Sequence, residues 1–301
     1  MSNLWSILAT VAVLLLLIPV GLVAVIVTAV LATLALISPL LLLLFLIYVL
    51  ILVRPSRRKA TDDRLLCPYA HRGLHSDGVP ENSMEAFRLA CEAGYGIELD
   101  VQTTRDGVVV VFHDYHLSRM TGKDALLSEL TLSELKALRL ADTDETIPTL
   151  EEVLTLVDGR VPILVELKGE DTNTALCAPV AAILGAYRGP YCVESFNPLM
   201  VREMGKLLPN VWRGLLYTNV FRGKNEHPFV NFLLVCMAVN FLCKPDFIAF
   251  NKLDRRSVAV WLATRLYSAP RFIWTVKTQE EAREAAERGE YPIFEGCTPS
   301  P

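Results

Sequence analysis

The sequence predicts an α/β fold, namely a (β/α)8 TIM barrel preceded by N-terminal transmembrane helices. Three observations support this prediction. After an uncharged apolar stretch and a short polar linker, about 240 residues remain, which is the size of one such barrel. These residues alternate between strand-like apolar runs and helix-like stretches. Charged residues and histidines follow several strand-like runs, and such barrels carry their active sites at the carboxyl ends of the strands.

The apolar N-terminal region, residues 1–53, is predicted to be a membrane anchor. No charged residue occurs from Trp5 to Val53. A transmembrane helix needs about 20 apolar residues, so this stretch fits two spans better than one. A cleaved signal peptide is not expected, because the apolar region of a signal peptide has only about 7–15 residues. Candidate turn points between the two spans are Pro19, Gly21, Ser38 and Pro39.

Residues 54–64 form a basic linker directly after the last span. Its cations are Arg54, Arg57, Arg58 and Lys59. Basic residues beside a span prefer the cytoplasmic side of a membrane. We therefore expect a multi-pass membrane protein whose soluble part, residues 65–301, lies in the cytoplasm. The same cations could contact the anionic head groups of a lipid bilayer.

The composition argues against other classes of partner. The 301 residues carry a formal net charge of −4 without a long basic stripe, which gives no support for nucleic-acid binding. The seven cysteines are odd in number and form no Cys-x-x-Cys motif. We expect free thiols in a reducing compartment, and no cysteine-based zinc site.

The predicted barrel has eight strand-like runs, near Tyr69, Ile97, Val109, Leu164, Val193, Leu215, Ile248 and Ile273. Helix-like stretches lie between most of them, at residues 83–93, 149–157, 174–187, 198–208 and 279–288. The second and third runs are joined differently, because Arg105-Asp106-Gly107 is typical of a tight turn. Residues 114–147 are then an inserted segment with a short helix around residues 133–138.

The stretch from Phe229 to Cys243 is apolar on all sides except at Asn231 and Asn240. As a helix it would be about 22 Å long, too short for a hydrocarbon core of about 30 Å. Two interpretations remain open. The stretch is either a buried barrel helix or an interfacial helix docked on the bilayer.

Two histidines and two carboxylates follow the first three strand-like runs. His71 comes directly after Tyr69-Ala70, and His113 comes directly after the run 108–112. Glu98 and Asp100 point to the same face of their strand, because strand side chains alternate between faces. Paired carboxylates at a strand end near two histidines suggest a metal site with acid–base partners.

A third pair strengthens this hypothesis. Glu166 and Lys168 end another apolar run and also share one strand face. Any single charged pair at a strand end is more often an ordinary solvated feature. Three strands that end in the same chemistry are harder to explain in that way.

The motifs resemble those of the glycerophosphodiester phosphodiesterase family. The matching segments are residues 71–73, 81–83, 98–100, 106–107, 113–114, 147–150, 166–168, 195–196 and 274–276. They span the soluble region in the order of the family. The resemblance implies a metal-dependent (β/α)8 barrel that cleaves glycerophosphodiesters to glycerol phosphate and an alcohol, after attack of a substrate hydroxyl on phosphorus.

Residue by residue, the resemblance implies that Glu98, Asp100 and Glu166 bind a divalent cation. Three carboxylates suit a hard cation such as Mg²⁺ or Ca²⁺. It further implies that His71 and His113 are the general acid and base, in an order that the sequence leaves open.

The resemblance also implies that Arg72 and Lys168 hold the phosphate of the substrate. Phe196 and Trp274 end their strands and are expected to line the pocket. The chain departs from the family pattern at three places. Ser83 stands where threonine is usual, which keeps the hydroxyl. Lys277 stands where asparagine is common, and residues 293–296 lack the usual Gly-x-Asp-Gly-type closing segment.

The sequence thus predicts a membrane-anchored phosphodiesterase that acts on glycerophosphodiesters or on lysophospholipid-like substrates. A lysophospholipid-cleaving phospholipase of the same barrel family is one alternative. A catalytically silent membrane scaffold or lipid sensor is another, although both histidines and all three carboxylates are present.

Overall fold

The computed structural model describes residues 2–169, 172–222 and 227–300. It divides into two compact units, Met1–Ile51 and Leu52–Pro301. The first unit contains one long helix, α1 (Ser2–Ile47), which continues into a π-helical turn at Tyr48–Leu52. The second unit is the barrel domain.

The helix α1 differs from the predicted pair of spans. It passes through Pro19, Gly21 and Pro39 without a break, and the predicted turn between two spans does not form within it. Proline and glycine are tolerated inside apolar helices of this kind. Among the described residues, one stretch, Leu22–Leu52, is long and apolar enough to cross a membrane, as an anchor or as a signal sequence. The prediction of a multi-pass protein is therefore not supported.

The barrel domain contains one sheet, described here as nine strands. The strands are β1 (Tyr69–Ala70), β2 (Gly96–Thr103), β3 (Val109–Val111), β4 (Ile163–Leu167), β5 (Tyr191–Ser195), β6 (Trp212–Tyr217), β7 (Phe247–Asn251), β8 (Arg271–Val276) and β9 (Tyr291–Phe294). All except β3 are parallel, and β1 pairs with both β2 and β9, which closes the sheet. The predicted (β/α)8 barrel is confirmed.

One of the eight strands predicted for the barrel is not part of the closed barrel. The run near Val109 is β3, which pairs antiparallel with β2 outside the closed barrel. The predicted tight turn joins the two strands, with Gly107 at φ 82°. The eighth barrel strand is instead β9, which was not among the eight predicted runs. Apolar periodicity identifies a strand but not the direction in which it pairs.

The remaining helices lie mostly between strands, as predicted. They are α2 (Met84–Ala93), α3 (Ser118–Thr121), α4 (Leu132–Lys136), α5 (Leu150–Val157), α6 (Cys177–Ala186), α7 (Pro198–Leu207), α8 (Pro228–Val235), α9 (Asn240–Cys243), α10 (Val258–Trp261) and α11 (Gln279–Glu287). Side-chain caps begin several of them. Ser83 accepts from the Ala86 amide before α2, and Thr149 forms a capping box with Glu152 before α5.

The inserted segment 114–147 is confirmed as a separate layer. It contains α3 and α4, and its apolar side chains form a second buried cluster with Val110 and Phe112 at the β3 end. The seven cysteines are all free thiols, as predicted.

The stretch from Phe229 to Cys243 is not one helix. It contains most of α8, a turn, and α9. Met237 and Cys243 are buried, whereas Phe229 and Phe241 are exposed. One side of the stretch therefore packs on the barrel and the other side does not.

An aromatic cluster fills the barrel interior at the amino ends of the strands. The ring centroids of Trp212 and Phe247 lie 4.6 Å apart, and those of Phe247 and Phe272 lie 4.8 Å apart. Gly214 leaves room for this cluster, because a Cβ there would lie 2.1 Å from the Phe247 ring.

This aromatic cluster also determines how far along the barrel axis the site lies. Leu164 and Cys192 belong to it. Two residues further along the same strands come Glu166 and Glu194, which share that strand face. Their carboxylates therefore lie between the apolar floor of the barrel and the carboxyl ends of its strands.

Candidate active site

Three buried glutamates form an acidic cluster inside the barrel. One carboxylate oxygen from each of Glu98, Glu166 and Glu194 lies within 4.8 Å of the others. The strand register brings them together, because Glu166 and Glu194 are directly paired on β4 and β5. We call Glu98, Glu166 and Glu194 the acidic cluster.

The electrostatics of the acidic cluster favour a cation. Burial, reinforced by neighbouring carboxylates, raises the pKa of Glu98 and of Glu194 well above the usual range. Burial also raises the pKa of Glu166 to about 7, although the charge of Lys168 opposes this. Glu194 Oε2 is buried without a hydrogen-bond partner among the described residues. Clustered, hard oxygen ligands with an unsatisfied atom fit a divalent cation.

Asp100 lies beside this cluster with its own partners. Lys168 Nζ is 2.8 Å from Asp100 Oδ1, and Asn82 Nδ2 donates to Oδ2 at 2.9 Å. Burial alone would raise the pKa of Asp100, but the charges of Lys168, His113 and Arg72 outweigh it and hold the pKa well below the usual range. Asp100 is therefore ionised, next to Glu166 in the register of β2 and β4.

Glu194 is a site residue that the sequence prediction missed. A signal for it existed. Glu194 sits in the apolar run Tyr191–Ser195 just as Glu166 sits in Ile163–Leu167. Glu166 was singled out as one of a charged pair with Lys168, whereas the residue two positions after Glu194 is Phe196, so the search for paired charges at strand ends passed over Glu194.

His71 is held by a carboxylate from the end of the chain. Its Nδ1 lies 2.7 Å from Glu295 Oε2, and Lys277 Nζ lies 2.5 Å from Glu295 Oε1. The hydrogen bond from His71, together with Lys277, holds the pKa of Glu295 well below the usual range. Two of the three departures from the family pattern, Lys277 and the closing segment 293–296, therefore meet beside the first histidine.

His113 has an equivalent partner. Its Nδ1 lies 2.7 Å from Asp114 Oδ1, and Arg119 Nε donates to Asp114 Oδ2 at 2.5 Å. Burial lowers the pKa of His113, against the opposing charge of Asp100. A carboxylate can only accept a hydrogen bond, so Nδ1 carries the hydrogen and Nε2 is left for proton transfer.

Two cations border the acidic cluster. The Arg72 amide donates to Glu98 Oε2 at 2.9 Å, and its guanidinium donates to Glu81 Oε1 at 2.8 Å. Lys168 Nζ also lies 2.7 Å from Glu166 Oε1. Arg72 adopts φ 56°, and Gly73 follows at φ 82°. This tight turn lets the backbone of Arg72 reach Glu98 while its side chain borders the cavity.

An aromatic pair forms one wall. The rings of Phe196 and Trp274 meet edge to face at 5.6 Å, and Trp274 Nε1 donates to Ala249 O at 3.1 Å. The cavity between these groups measures about 120 Å³. Every predicted site residue except Asp100 lines the cavity, and so does Glu194; Asp100 instead contacts Lys168. The lining residues are His71, Arg72, Glu98, His113, Glu166, Lys168, Glu194, Phe196, Leu216, Trp274, Thr275 and Ile293.

The sequence matches a known family and several named relatives. Residues 71–294 match the Glycerophosphoryl diester phosphodiesterase family. YhdW of Bacillus subtilis (strain 168), a relative named for glycerophosphodiester phosphodiesterase activity, is 30% identical over 240 residues, covering 75% of this chain and 94% of YhdW. A glycerophosphodiester phosphodiesterase of Caldanaerobacter subterraneus subsp. tengcongensis is 36% identical over 160 residues, covering 49% of this chain and 65% of that relative.

Solved structures share the fold. A phosphodiesterase of Oleispira antarctica, in complex with the product sn-glycerol-3-phosphate, matches with a TM-score of 0.62 at 24% identity, covering 76% of this chain and 92% of that one. A glycerophosphodiester phosphodiesterase from Thermotoga maritima matches with a TM-score of 0.58 at 28% identity, covering 77% and 94%.

The barrel fold, the family match and the named relatives identify the chain as a phosphoric diester hydrolase. The chain belongs to the glycerophosphoryl diester phosphodiesterase family, as its motifs predict.

Proposed function

We propose that this protein hydrolyses glycerophosphodiesters to glycerol phosphate and an alcohol, with a divalent cation held at the acidic cluster. The observation that carries the proposal is the cavity in which three buried carboxylates lie beside Arg72 and Lys168. Such a set of opposite charges suits a cation and a phosphate together. The bound sn-glycerol-3-phosphate of the Oleispira antarctica relative has the chemistry of the expected product.

Glu98 and Glu166, already implied by the family resemblance, would hold the cation together with Glu194. Asp100, the third implied ligand, is ionised and adjacent, and we keep it as a proposed ligand or as the group that fixes Lys168. A bound Mg²⁺ or Ca²⁺ supplies charge neutralisation and polarises a phosphate oxygen.

The protein's own groups supply binding and proton transfer. Arg72 can hold two phosphate oxygens and Lys168 offers a compact positive charge. One of His71 and His113 takes the proton of the attacking substrate hydroxyl at its Nε2, and the other gives a proton to the leaving alcohol, which leaves a cyclic glycerol phosphate. The two histidines then act in exchanged roles on a water molecule, which opens the ring to glycerol phosphate. Phe196 and Trp274 exclude water from one side of the cavity and limit the size of the group beside phosphorus.

We further propose that the N-terminal apolar stretch anchors the enzyme at a membrane, with the barrel domain on the cytoplasmic side. One stretch, Leu22–Leu52, has the length and composition of a span. The basic linker follows it directly, and basic residues favour the cytoplasmic side. Anchoring there would bring the enzyme to the products of membrane lipid turnover.

The experiment is a product-release screen with purified full-length protein. Glycerophosphodiesters and lysophospholipids are compared, each with Mg²⁺ and with Ca²⁺. We expect glycerol phosphate from glycerophosphodiesters, and His71→Ala and His113→Ala should each lower turnover by about 10²–10⁴-fold. Preference for lysophospholipids would favour the phospholipase alternative. Absence of turnover on both substrate classes would favour the silent scaffold.

A further inference from the structure

An exposed apolar surface covers the part of the barrel domain that follows β6 and β7. Phe229 and Phe232 on α8 are 74% and 54% exposed, and Val258 and Trp261 on α10 are 70% and 57% exposed. Contiguous exposed apolar side chains of this size mark interaction surfaces on proteins. We call the surface formed by residues 227–243 and 253–266 the apolar face.

The two segments of the apolar face are fixed against each other. The buried Tyr217 hydroxyl donates to the carbonyl of Val235, the last residue of α8, at 3.0 Å. The same hydroxyl lies 2.9 Å from Ser257 Oγ, directly before α10. The Tyr217 hydroxyl therefore links the end of α8 to the start of α10.

The charges around the apolar face match an anionic surface. The one acidic residue within the apolar face is Asp254, which is buried and paired with Arg222, and no other Asp or Glu occurs in residues 227–245 or 253–268. Lys244, Arg256 and Arg265 are exposed on these segments. Apolar side chains that enter the boundary between head groups and acyl chains, bordered by cations that meet lipid phosphates, are the features of an interfacial membrane contact.

The chain enters the barrel domain beside this face. Asn240 Nδ2, on α9, donates to the carbonyl of Val53 at 2.7 Å. The guanidinium of Arg54 lies 5.9 Å from the ring centroid of Tyr267, which follows the α10 segment. Val53 is the residue directly after Leu22–Leu52, the stretch suited to cross a membrane. Within the barrel domain, the apolar face therefore lies beside the residues that follow the stretch suited to cross a membrane.

We propose that the apolar face docks on an anionic lipid surface, as a second membrane contact besides the N-terminal stretch. The inference rests on the membrane attachment in the proposed function, but not on the catalytic roles. This proposal combines the two interpretations of the stretch from Phe229 to Cys243, the buried barrel helix and the interfacial helix. One side of the stretch is buried against the barrel, and the other side contacts lipid.

Trp261 offers a direct probe of docking. Full-length protein is incorporated into nanodiscs that contain anionic lipid, with either brominated or ordinary acyl chains. The contribution of Trp261 is the emission of the wild type minus that of Trp261→Phe, since the chain has four tryptophans. We expect brominated lipid to quench this contribution at least twofold. A matched control places the probe on the inserted segment instead, as Tyr115→Trp in the Trp261→Phe background, and should not be quenched.

A second variant tests whether the exposed side chains of α8 are needed for folding. Phe229→Ser with Phe232→Ser should keep the thermal transition of the wild type, because both side chains are exposed, and should abolish the quenching of Trp261. Unfolding of this variant would identify α8 as core and overturn the proposal.

The remaining outcomes distinguish a failure of lipid docking from a failure of membrane attachment. Protein that enters nanodiscs with Trp261 unquenched would overturn docking and leave membrane attachment intact. Protein that does not enter them would overturn both. Concentration-dependent protection of Trp261 from acrylamide without quenching by lipid would assign the face to a second copy of the chain, which also overturns lipid docking.

Discussion

Each of the two site histidines is oriented by a carboxylate at Nδ1. His113 takes its partner from the next residue, Asp114, whereas the partner of His71, Glu295, is 224 residues away in sequence. Local motifs were enough to single out both histidines, Arg72 and Lys168, which line one cavity in the structure. The partnership with Glu295 could not be predicted, because it forms only when β9 closes the barrel against β1.

Glu295 should act as a positioning residue for His71. Glu295→Gln keeps the size of the side chain but loses the charge that favours hydrogen on Nδ1. We expect kcat to fall by about 10–100-fold with little change in KM, on the scale known for carboxylates that orient metal-bound histidines. The pH profile of kcat should also shift. The control is Glu287→Gln, an exposed carboxylate on α11 4.0 Å from Arg283. Equal activity of the two variants would contradict the role of Glu295.

The acidic cluster predicts how stability depends on pH and cation. Burial raises the pKa of Glu166 from its ordinary value of 4.5 to about 7. A carboxyl group whose pKa is raised by folding stabilises the fold below its ordinary pKa, and this contribution is lost as pH rises through about 7. We expect the Tm of cation-free protein to fall between about pH 5 and pH 8. Added Mg²⁺ or Ca²⁺ should raise the Tm more at pH 8, where the ligands are ionised.

The matched control for this measurement is Glu166→Gln, which removes the titrating group. Its cation-free Tm should depend less on pH than that of the wild type. An equal rise of Tm on cation addition at both pH values would contradict a cation site built from these carboxylates.

At the scale of elements, the sequence predicted helices better than strand membership. Polar caps such as Ser83 and Thr149 mark helix starts locally, so α2 and α5 were placed within a residue or two. Whether Val109–Val111 is a barrel strand depends on non-local pairing, and only the tight turn at Gly107 indicated the hairpin. The strand β9 is short and contains Pro292, which weakens its signal in the sequence.

Tyr217 should be the contact that fixes α8 against α10. Tyr217→Phe leaves the Val235 carbonyl without its buried donor and removes the contact with Ser257. We expect a loss of about 1–3 kcal/mol in the free energy of unfolding, measured by denaturant titration. Tyr191→Phe is the control, because Tyr191 is half-buried and makes a ring contact with Tyr187 at 6.2 Å. A loss no greater than that of the control would show that the link is unimportant.

At the scale of the whole molecule, an apolar helix and a catalytic barrel share one chain. The sequence predicts an apolar region and a barrel, and the length of the apolar region together with its prolines and glycine favours two spans. The structure keeps one uninterrupted helix, since proline and glycine do not force a turn where apolar neighbours sustain the helix.

The orientation of the protein remains a prediction. A reporter fused to the carboxyl terminus should be active only in the cytoplasm, because Arg54, Arg57 and Lys59 follow the apolar stretch. Replacing these three cations by serine should reduce that preference. Digestion of the barrel domain by protease added to unbroken cells would refute the cytoplasmic location.

The central claim is that turnover requires a divalent cation at the acidic cluster. The most direct measurement is the rate of glycerol phosphate release by purified full-length protein before chelation, after chelation, and after addition of Mg²⁺ or Ca²⁺. We predict that chelation abolishes turnover and that one of these cations restores it in the wild type. It should not restore turnover in Glu98→Gln, Glu166→Gln or Glu194→Gln. Unchanged turnover in the presence of excess chelator would contradict the claim.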